Sequence, residues 1–193
     1  MTLRLYHAPG SASDRIVWLL EELGASYETV IVAQPGVSGA TADPRNPHPH
    51  GYAPALVHDG HVVTESGAIA LHLTDLFPDS GLGVPVGHPL RGAYLTWLFY
   101  QVGLSEPLIY MKARGALVND AAMGALYTQM LHHLETVLGR GPWLLGERFT
   151  AADVLMIGLL EQARALLGPS EVLDAYVARG RRPRRAEEGQ TIS

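Results

Sequence analysis

The feature that most constrains the fold is the dipeptide Asp59-Gly60, which separates two short apolar runs. The runs are Ala55 to His58 and His61 to Thr64. Asp-Gly between such runs is a strong signal for a β-hairpin with a type I′ turn, because both turn positions need positive φ. The sequence therefore predicts two antiparallel strands, and the flanking segments must fit a sheet that contains this hairpin.

The segments around the hairpin alternate between strand and helix patterns. Residues 3–6 and 27–32 are typical of strands, and apolar residues recur at helical spacing between them until Gly24. Residues 33–51 are rich in Pro, Gly, Asn and His, which predicts a long loop. A further helix is predicted from Ser66 to Phe77, so the first 80 residues form a β-α-β…β-β-α unit.

The second half of the chain shows no further strand pattern. Helical periodicity predicts segments over residues 89–113, 120–138, 151–166 and 170–179, with Pro107 kinking or dividing the first of them. We therefore predict an α+β protein with a first domain over residues 1–80, an all-helical domain over 88–186 and a tail over 187–193.

Composition excludes several kinds of chemistry. The chain of 193 residues has no cysteine, which rules out disulfides, thiolate metal sites and cysteine nucleophiles. Its net charge of -5 argues against a nucleic-acid partner. We expect no secretory signal and no membrane span, hence a cytoplasmic protein. We also expect no metal site, because the pairs His48/His50 and His58/His61 lack further ligands.

Three motifs together resemble the cytosolic, bacterial-type glutathione transferase family. Pro54 precedes the hairpin in the run Ala53-Pro54-Ala55-Leu56, and Glu65-Ser66-Gly67-Ala68-Ile69 follows at the spacing of that family. In the second half, Leu144 to Asp153 resembles the family's helical-domain motif, in which Thr150 and Asp153 form a capping box. The resemblance covers roughly residues 2–186 and implies a thioredoxin-like first domain.

The resemblance implies that Ala53, Pro54, Glu65 and Ser66 bind glutathione. Pro54 would be a cis-proline that presents the backbone of Ala53 to the cysteinyl unit. Ser66 at a helix N-terminus suits the γ-glutamyl carboxylate, and Glu65 suits the ammonium group. The alternative is that Thr64 or Ser66 merely caps the helix.

The loop before Pro54 departs from the family pattern at the position that would bind the glycyl end of glutathione. The usual Lys or Gln is replaced by Tyr52, and the loop is lengthened. Tyr52 or His50 would then supply the hydrogen-bond donor for the glycyl carboxylate. A non-catalytic role as a ligand-binding or interaction protein is therefore kept as an alternative.

The group that stabilises the glutathione thiolate is expected in the first loop. The candidates are Ser11, which we prefer, then Ser13 and Tyr6, and Ser13 has the alternative role of capping the first helix. His7 is expected to line the site. Ala12 falls where beta-class members carry a cysteine, which argues against disulfide exchange.

The helical domain is expected to bind the second substrate. Tyr94, Leu98 and Gln101 lie at helical spacing and are candidates for the electrophile pocket, although aromatic residues there are more often core. The implied reaction is a detoxifying transfer of glutathione, the co-substrate, to a small hydrophobic electrophile by a homodimer. Glutathione-dependent isomerase, dehalogenase and peroxidase activities are alternatives on the same fold.

Overall fold

In the computed structural model of the chain, residues 1–35 and 41–181 are described, so the expected domain end at 186 and the tail at 187–193 lie outside them. Four strands form one mixed sheet in the order β2-β1-β3-β4. They are β1 (Leu3–His7), β2 (Glu28–Ile31), β3 (Ala55–His58) and β4 (His61–Thr64). β1 runs parallel to β2 and antiparallel to β3. With α1 (Ser13–Glu22) and α2 (Ser66–Leu76), this sheet is the first domain.

The hairpin forms as the sequence predicts. β3 and β4 have the predicted bounds, and Leu56 pairs with Val63 across them. The two turn residues have positive φ, 46° at Asp59 and 87° at Gly60, as a type I′ turn requires. Asp59 also accepts a hydrogen bond of 2.7 Å from the backbone N–H of Thr2, which ties the turn to the start of β1.

The second domain is helical. Its helices are α3 (Arg91–Tyr100), α4 (Glu106–Ala113), α5 (Ala121–Leu138), α6 (Ala151–Gln162), α7 (Arg164–Leu167) and α8 (Glu171–Gly180). A π-helical turn, Gln101–Ser105, separates α3 from α4, so the division predicted at Pro107 lies just before it. Pro107 is the second residue of α4 and directly follows the π-helical turn and Glu106.

Helix α6 is the centre of the core. Its residues 151–160 are all buried, which fits a helix that is apolar around its whole circumference. The predicted capping box is confirmed, because the Asp153 carboxylate accepts hydrogen bonds from the backbone N–H and the hydroxyl of Thr150. Its other oxygen accepts from the Leu144 N–H and the Tyr176 hydroxyl. Burial raises the pKa of Asp153, and the hydrogen bonds oppose that shift.

Candidate active site

A cavity of about 590 Å³ lies between the two domains. All six residues predicted to bind glutathione line it, namely His50, Tyr52, Ala53, Pro54, Glu65 and Ser66. The opposite wall is one face of the π-helical turn and α4, with Val102, Glu106, Pro107, Tyr110 and Arg114. Ala12, at the start of α1, also lines the cavity. The fold therefore gathers residues more than 100 positions apart around a single cleft.

The turn before β3 presents the backbone of Ala53 to the cavity. The Ala53–Pro54 peptide is cis, as the family resemblance implies. The N–H group of Ala53 donates a long hydrogen bond of 3.4 Å to Oε1 of Gln34, which also lines the cavity. At 3.4 Å this bond is weak. An extended ligand that pairs with Ala53 would therefore displace a weak internal partner.

Ser66 is the first residue of α2 and has a free hydroxyl. The side chain is buried except towards the cavity, and within residues 1–35 and 41–181 its Oγ forms no hydrogen bond. The capping role weighed for Ser66 is thus not seen, since no side chain caps α2. A free hydroxyl beside the free N–H groups of a helix start is suited to an anion.

Glu65 holds an unusual backbone conformation next to Ser66. Its φ of 68° lies in the left-handed region, which costs a non-glycine residue about 1–3 kcal/mol. Its side chain is 75% exposed, and Oε1 lies 4.0 Å from Nε2 of His48. The carboxylate is therefore accessible to a cationic group in the cavity.

The loop before Pro54 is held by its own hydrogen bonds. The side chain of Asn46 donates to the carbonyl of Tyr52 at 2.9 Å and accepts from the N–H of His48 at 3.1 Å. Nδ1 of His48 accepts from the N–H of His50, which places the proton of the neutral ring on Nε2, facing Glu65. Burial lowers the pKa of His48, so its ring is neutral at pH 7. This loop brings a donor of the imidazole type to the cavity.

The first loop contains a hydrogen-bonded cluster around Ser13. The buried Oγ of Ser13 lies 2.7 Å from Nδ1 of His7 and 2.7 Å from Oγ of Ser11. It also accepts from the Ala8 N–H and lies 3.1 Å from the Ala8 carbonyl oxygen. Nε2 of His7 lies 3.8 Å from Asp14, and burial lowers the pKa of His7. The hydroxyl of Ser13 is therefore saturated within the protein and does not cap α1.

The predicted catalytic candidates lie at different depths. Ser11 is partly exposed, with its hydroxyl turned towards Ser13, and its carbonyl accepts a 3.0 Å hydrogen bond from Gln162. Tyr6 is not part of the hydrogen-bonded cluster around Ser13 and packs against Ala8, Val32 and Ala53. The lining of the large cavity contains Ala12 and none of these candidates.

The residues predicted for the electrophile pocket do not meet at a cavity. Tyr94 and Leu98 are buried in the core, where the Tyr94 hydroxyl hydrogen-bonds Thr74 and burial raises its pKa to about 12. Gln101 is fully buried and donates to Glu106, while His7 belongs to the Ser13 cluster. Tyr94, Leu98 and Gln101 do share one helical face, but that face is buried rather than turned to a cavity.

A second cavity of about 210 Å³ adjoins the first and shares Glu106 and Tyr110 with it. Its further lining comes from the first loop, α4, α6 and α7 and is mainly apolar, with Ile109, Ala113, Leu159 and Leu166. Sequence reasoning missed this wall. Its signal is the helical spacing of Glu106, Ile109, Tyr110 and Ala113 in α4.

A buried ion pair joins the two domains beneath the cavities. Both Nη atoms of Arg15 donate to the Glu106 carboxylate, at 2.7 and 3.2 Å, and Nη2 also donates to Gln162 at 3.0 Å. Arg15 is 2% exposed. Gln162 in turn holds the carbonyl of Ser11. This network fixes the first loop relative to α4 and α6.

The histidine pairs have roles within the protein. Nδ1 of His58 lies 3.0 Å from Nε2 of His72 in α2, whereas His61 is exposed. Among the described residues, no group of three or more His, Cys, Asp or Glu side chains is suited to a metal ion. Within residues 1–35 and 41–181, every helix is too short or too polar to cross a membrane.

Comparisons with known proteins identify the family. Family models described as the N-terminal and C-terminal domains of glutathione S-transferase match residues 5–81 and 121–183. LigF of Sphingobium sp. (strain NBRC 103272 / SYK-6) is 38% identical over 94 residues, which are 48% of this chain and 37% of LigF. The disulfide-bond oxidoreductase YfcG of Escherichia coli (strain K12) is 29% identical, over 78% of this chain and 75% of YfcG.

A solved structure extends the likeness to three dimensions. The glutathione S-transferase of a sphingomonad, complexed with glutathione, has a TM-score of 0.75 and 25% identity over 96% of both chains. The chain belongs to the glutathione transferase family. It is a glutathione S-transferase-like enzyme, with a thioredoxin-like first domain and a helical second domain.

Proposed function

We propose that this chain transfers glutathione to small hydrophobic electrophiles. The observation that carries the proposal is the large cavity, which has the Ala53–Pro54 turn and Ser66 on one wall and α4 on the other. A tripeptide held on the first wall would place its sulfur near Ala12, facing the second wall. This arrangement brings two reactants together in a fixed orientation, which lowers the entropic part of the barrier.

Each part of glutathione has a partner in this proposal. The γ-glutamyl carboxylate binds the Ser66 hydroxyl and the N-terminus of α2, and its ammonium group binds Glu65. The cysteinyl unit pairs with the backbone of Ala53 after Gln34 moves aside. The glycyl carboxylate lies near His50 and Tyr52, where Tyr52 is 48% exposed.

Ser11 is the proposed donor to the sulfur. The Ser13 hydroxyl is buried and saturated, so Ser13 orients the loop, whereas the partly exposed Ser11 hydroxyl needs only a rotation about χ1 to leave it. The N-terminus of α1 at Ala12 adds a favourable dipole for a thiolate. Lowering the pKa of the glutathione thiol by one unit corresponds to about 1.4 kcal/mol of thiolate stabilisation.

The proposed site for the electrophile is the smaller apolar cavity together with the adjoining α4 wall of the large cavity. The lining of the smaller cavity by Ile109, Leu159 and Leu166 suits an aromatic or aliphatic group. This cavity adjoins the large cavity at Glu106 and Tyr110, so a molecule bound there reaches the place proposed for the sulfur. We therefore propose that the electrophile pocket lies at α4, and not at α3 as the sequence predicted.

Retention on immobilised glutathione and turnover of glutathione with 1-chloro-2,4-dinitrobenzene test the proposal. We expect both, and Ser11→Ala should lower kcat by about 10- to 100-fold, with little change in glutathione affinity. Thr128→Ala, on the exposed face of α5, is the matched hydroxyl control and should change neither quantity. Absence of both retention and turnover in the unmodified protein would exclude the transferase function.

A binding protein without catalysis is the second candidate. It is favoured by the Ser11 hydroxyl, which pairs with Ser13 and is absent from the lining of the large cavity. Glutathione binding without turnover of aryl halides would support it. Reduction of a glutathione mixed disulfide is a less favoured activity, since Ala12 supplies no thiol.

We also propose a homodimer in the cytoplasm. Support comes from two exposed apolar side chains, Val62 on β4 at 48% and Phe99 on α3 at 59%. Each domain thus exposes an apolar side chain that a second copy would cover. Light scattering should give the mass of a dimer, and Phe99→Glu should give a monomer with unchanged circular dichroism.

A further inference from the structure

We propose that the electrophile carries a carboxylate, which Arg114 binds at the end of α4 remote from the sulfur. The inference deepens the function proposed above and rests on it. It assigns a substrate class, aromatic or apolar molecules with an acidic group at the far end from the reacting carbon. The group that would bind the carboxylate lies on the face of α4 that borders the large cavity.

One stripe of α4 faces the cavity. Val102, Glu106, Tyr110 and Arg114 recur every fourth residue and all line it. Residues four apart lie on the same side of an α-helix, about 6 Å apart along its axis. The stripe therefore orders the contacts along the cavity, from Glu106 near α1 to Arg114 at the opposite end.

The free charge on this stripe is positive. Glu106 is neutralised by its two hydrogen bonds with Arg15. Arg114 is exposed, and no acidic side chain in the described part of the chain pairs with it. The nearby Lys112 lies over the ring of Tyr127 instead, 5.6 Å from its centroid. A guanidinium without an internal partner at a cavity rim is suited to a carboxylate, which it binds through two parallel hydrogen bonds.

Tyr110 supplies the contact for the rest of the molecule. Its ring is 56% exposed, lies one turn before Arg114 and borders both cavities. An aromatic electrophile stacked on Tyr110 would have its acidic group about one helical turn away, where Arg114 lies. The reacting carbon would then point towards Ala12 and the sulfur.

The reaction with a suitable probe, 4-chloro-3-nitrobenzoate, balances without a further reactant. The thiolate sulfur attacks the ring carbon that bears chlorine and forms the carbon–sulfur bond. The carbon–chlorine bond breaks, and its electron pair leaves with chloride. The proton lost when the thiol ionised passes to solvent, and the carboxylate remains unchanged on Arg114.

The test measures binding of two finished conjugates, so it does not depend on turnover. S-(4-carboxy-2-nitrophenyl)glutathione and its carboxamide differ only at the group that Arg114 would contact. By titration calorimetry we expect the carboxylate to bind at least 10-fold more tightly, since hydrogen bonds between ions exceed neutral ones. Arg114→Gln should remove this preference and leave the affinity for the carboxamide and for glutathione unchanged. Arg114→Lys should keep part of it.

Arg140→Gln is the control, because Arg140 is an exposed arginine outside both cavity linings. It should leave the preference intact. If Arg114→Gln weakens glutathione and both conjugates equally, Arg114 holds the glycyl carboxylate of glutathione and the inference is wrong. Equal affinities for the two conjugates in the unmodified protein also refute it. Binding of the carboxylate conjugate without any turnover would refute the transferase proposal alone.

Discussion

Replacing Ser66 by alanine separates glutathione binding from stability. The Ser66 hydroxyl forms no hydrogen bond within the described residues, so its removal breaks nothing in the folded chain. A hydrogen bond to a carboxylate contributes about 1.5–3 kcal/mol, which corresponds to a 10- to 100-fold rise in Kd. We therefore expect Ser66→Ala to weaken glutathione binding by that factor while the melting temperature stays constant.

Titration calorimetry with two ligands checks this expectation. The first ligand is glutathione, and the second is 4-aminobutyryl-cysteinyl-glycine, which lacks the α-carboxylate. Ser66→Ala should weaken the first and leave the second unchanged. Ser105→Ala is a matched control, because the buried Oγ of Ser105 also has no hydrogen-bond partner among the described residues but lies outside the cavity linings. An equal loss for both ligands, or a lower melting temperature of Ser66→Ala, would show that the hydroxyl acts on the fold.

Three further predictions follow from contacts elsewhere in the molecule. Asp153→Ala should lower the free energy of unfolding in urea by about 3–5 kcal/mol, because it leaves several buried donors without an acceptor. Tyr176→Phe removes only one hydroxyl and should lower the free energy of unfolding by about 1 kcal/mol. The Arg91 guanidinium holds the pKa of Asp75 below its usual value. This pair therefore stabilises the fold above about pH 4, and the stabilisation is lost as the pH falls through the lowered pKa of Asp75. Because Asp75 is 46% exposed, the loss should be below about 1 kcal/mol, and Arg91→Gln should abolish this part of the acid dependence of urea unfolding. Gln34→Ala should strengthen glutathione binding about 2- to 10-fold in calorimetry, since the ligand then displaces no internal hydrogen bond, and a weaker affinity would mean that Gln34 contacts the ligand.

Low pH should also destabilise the folded state by protonating three histidines. Burial lowers the pKa values of His7, His48 and His72, so the folded state disfavours their charged forms. The unfolded chain binds these protons near pH 6.5, whereas the folded chain binds them only at lower pH. The free energy of unfolding should therefore decrease as the pH falls from about 7 to 5, and His72→Gln should reduce that slope.

The parts of the fold that local chemistry determines were predictable from the sequence. The hairpin bounds followed from Asp59-Gly60, since the turn needs two residues that accept positive φ. The capping box at Thr150 and Asp153 was equally local. The set of residues proposed to bind glutathione came from the order and spacing of motifs around Pro54 and Ser66, and these residues line one cavity.

The rest of the site depends on contacts between distant residues. Arg15 and Glu106 are 91 positions apart, and nothing near either residue indicates the other. Gln34 reaches Ala53 across a loop that shows no periodicity. The cavity face of α4 was missed because the stripe that begins at Tyr94 continues through Gln101 and Leu108 in the core, and the cavity face lies beside it. Helical spacing groups residues into a face but does not show whether that face meets the core or a cavity.

The packing of Arg15 limits which helical domains can be combined with this first domain in a hybrid protein. The stem of Arg15 lies against Gly158 of α6, where an added Cβ would approach Cγ of Arg15 to 2.4 Å. A hybrid that joins this first domain to a relative's helical domain must therefore bring a glycine at 158 as well as an acceptor at 106. Two halves that each fold well in their own parents would be sterically incompatible without that match. Inheritance of the two domains is thus linked through the packing of Arg15 against Gly158.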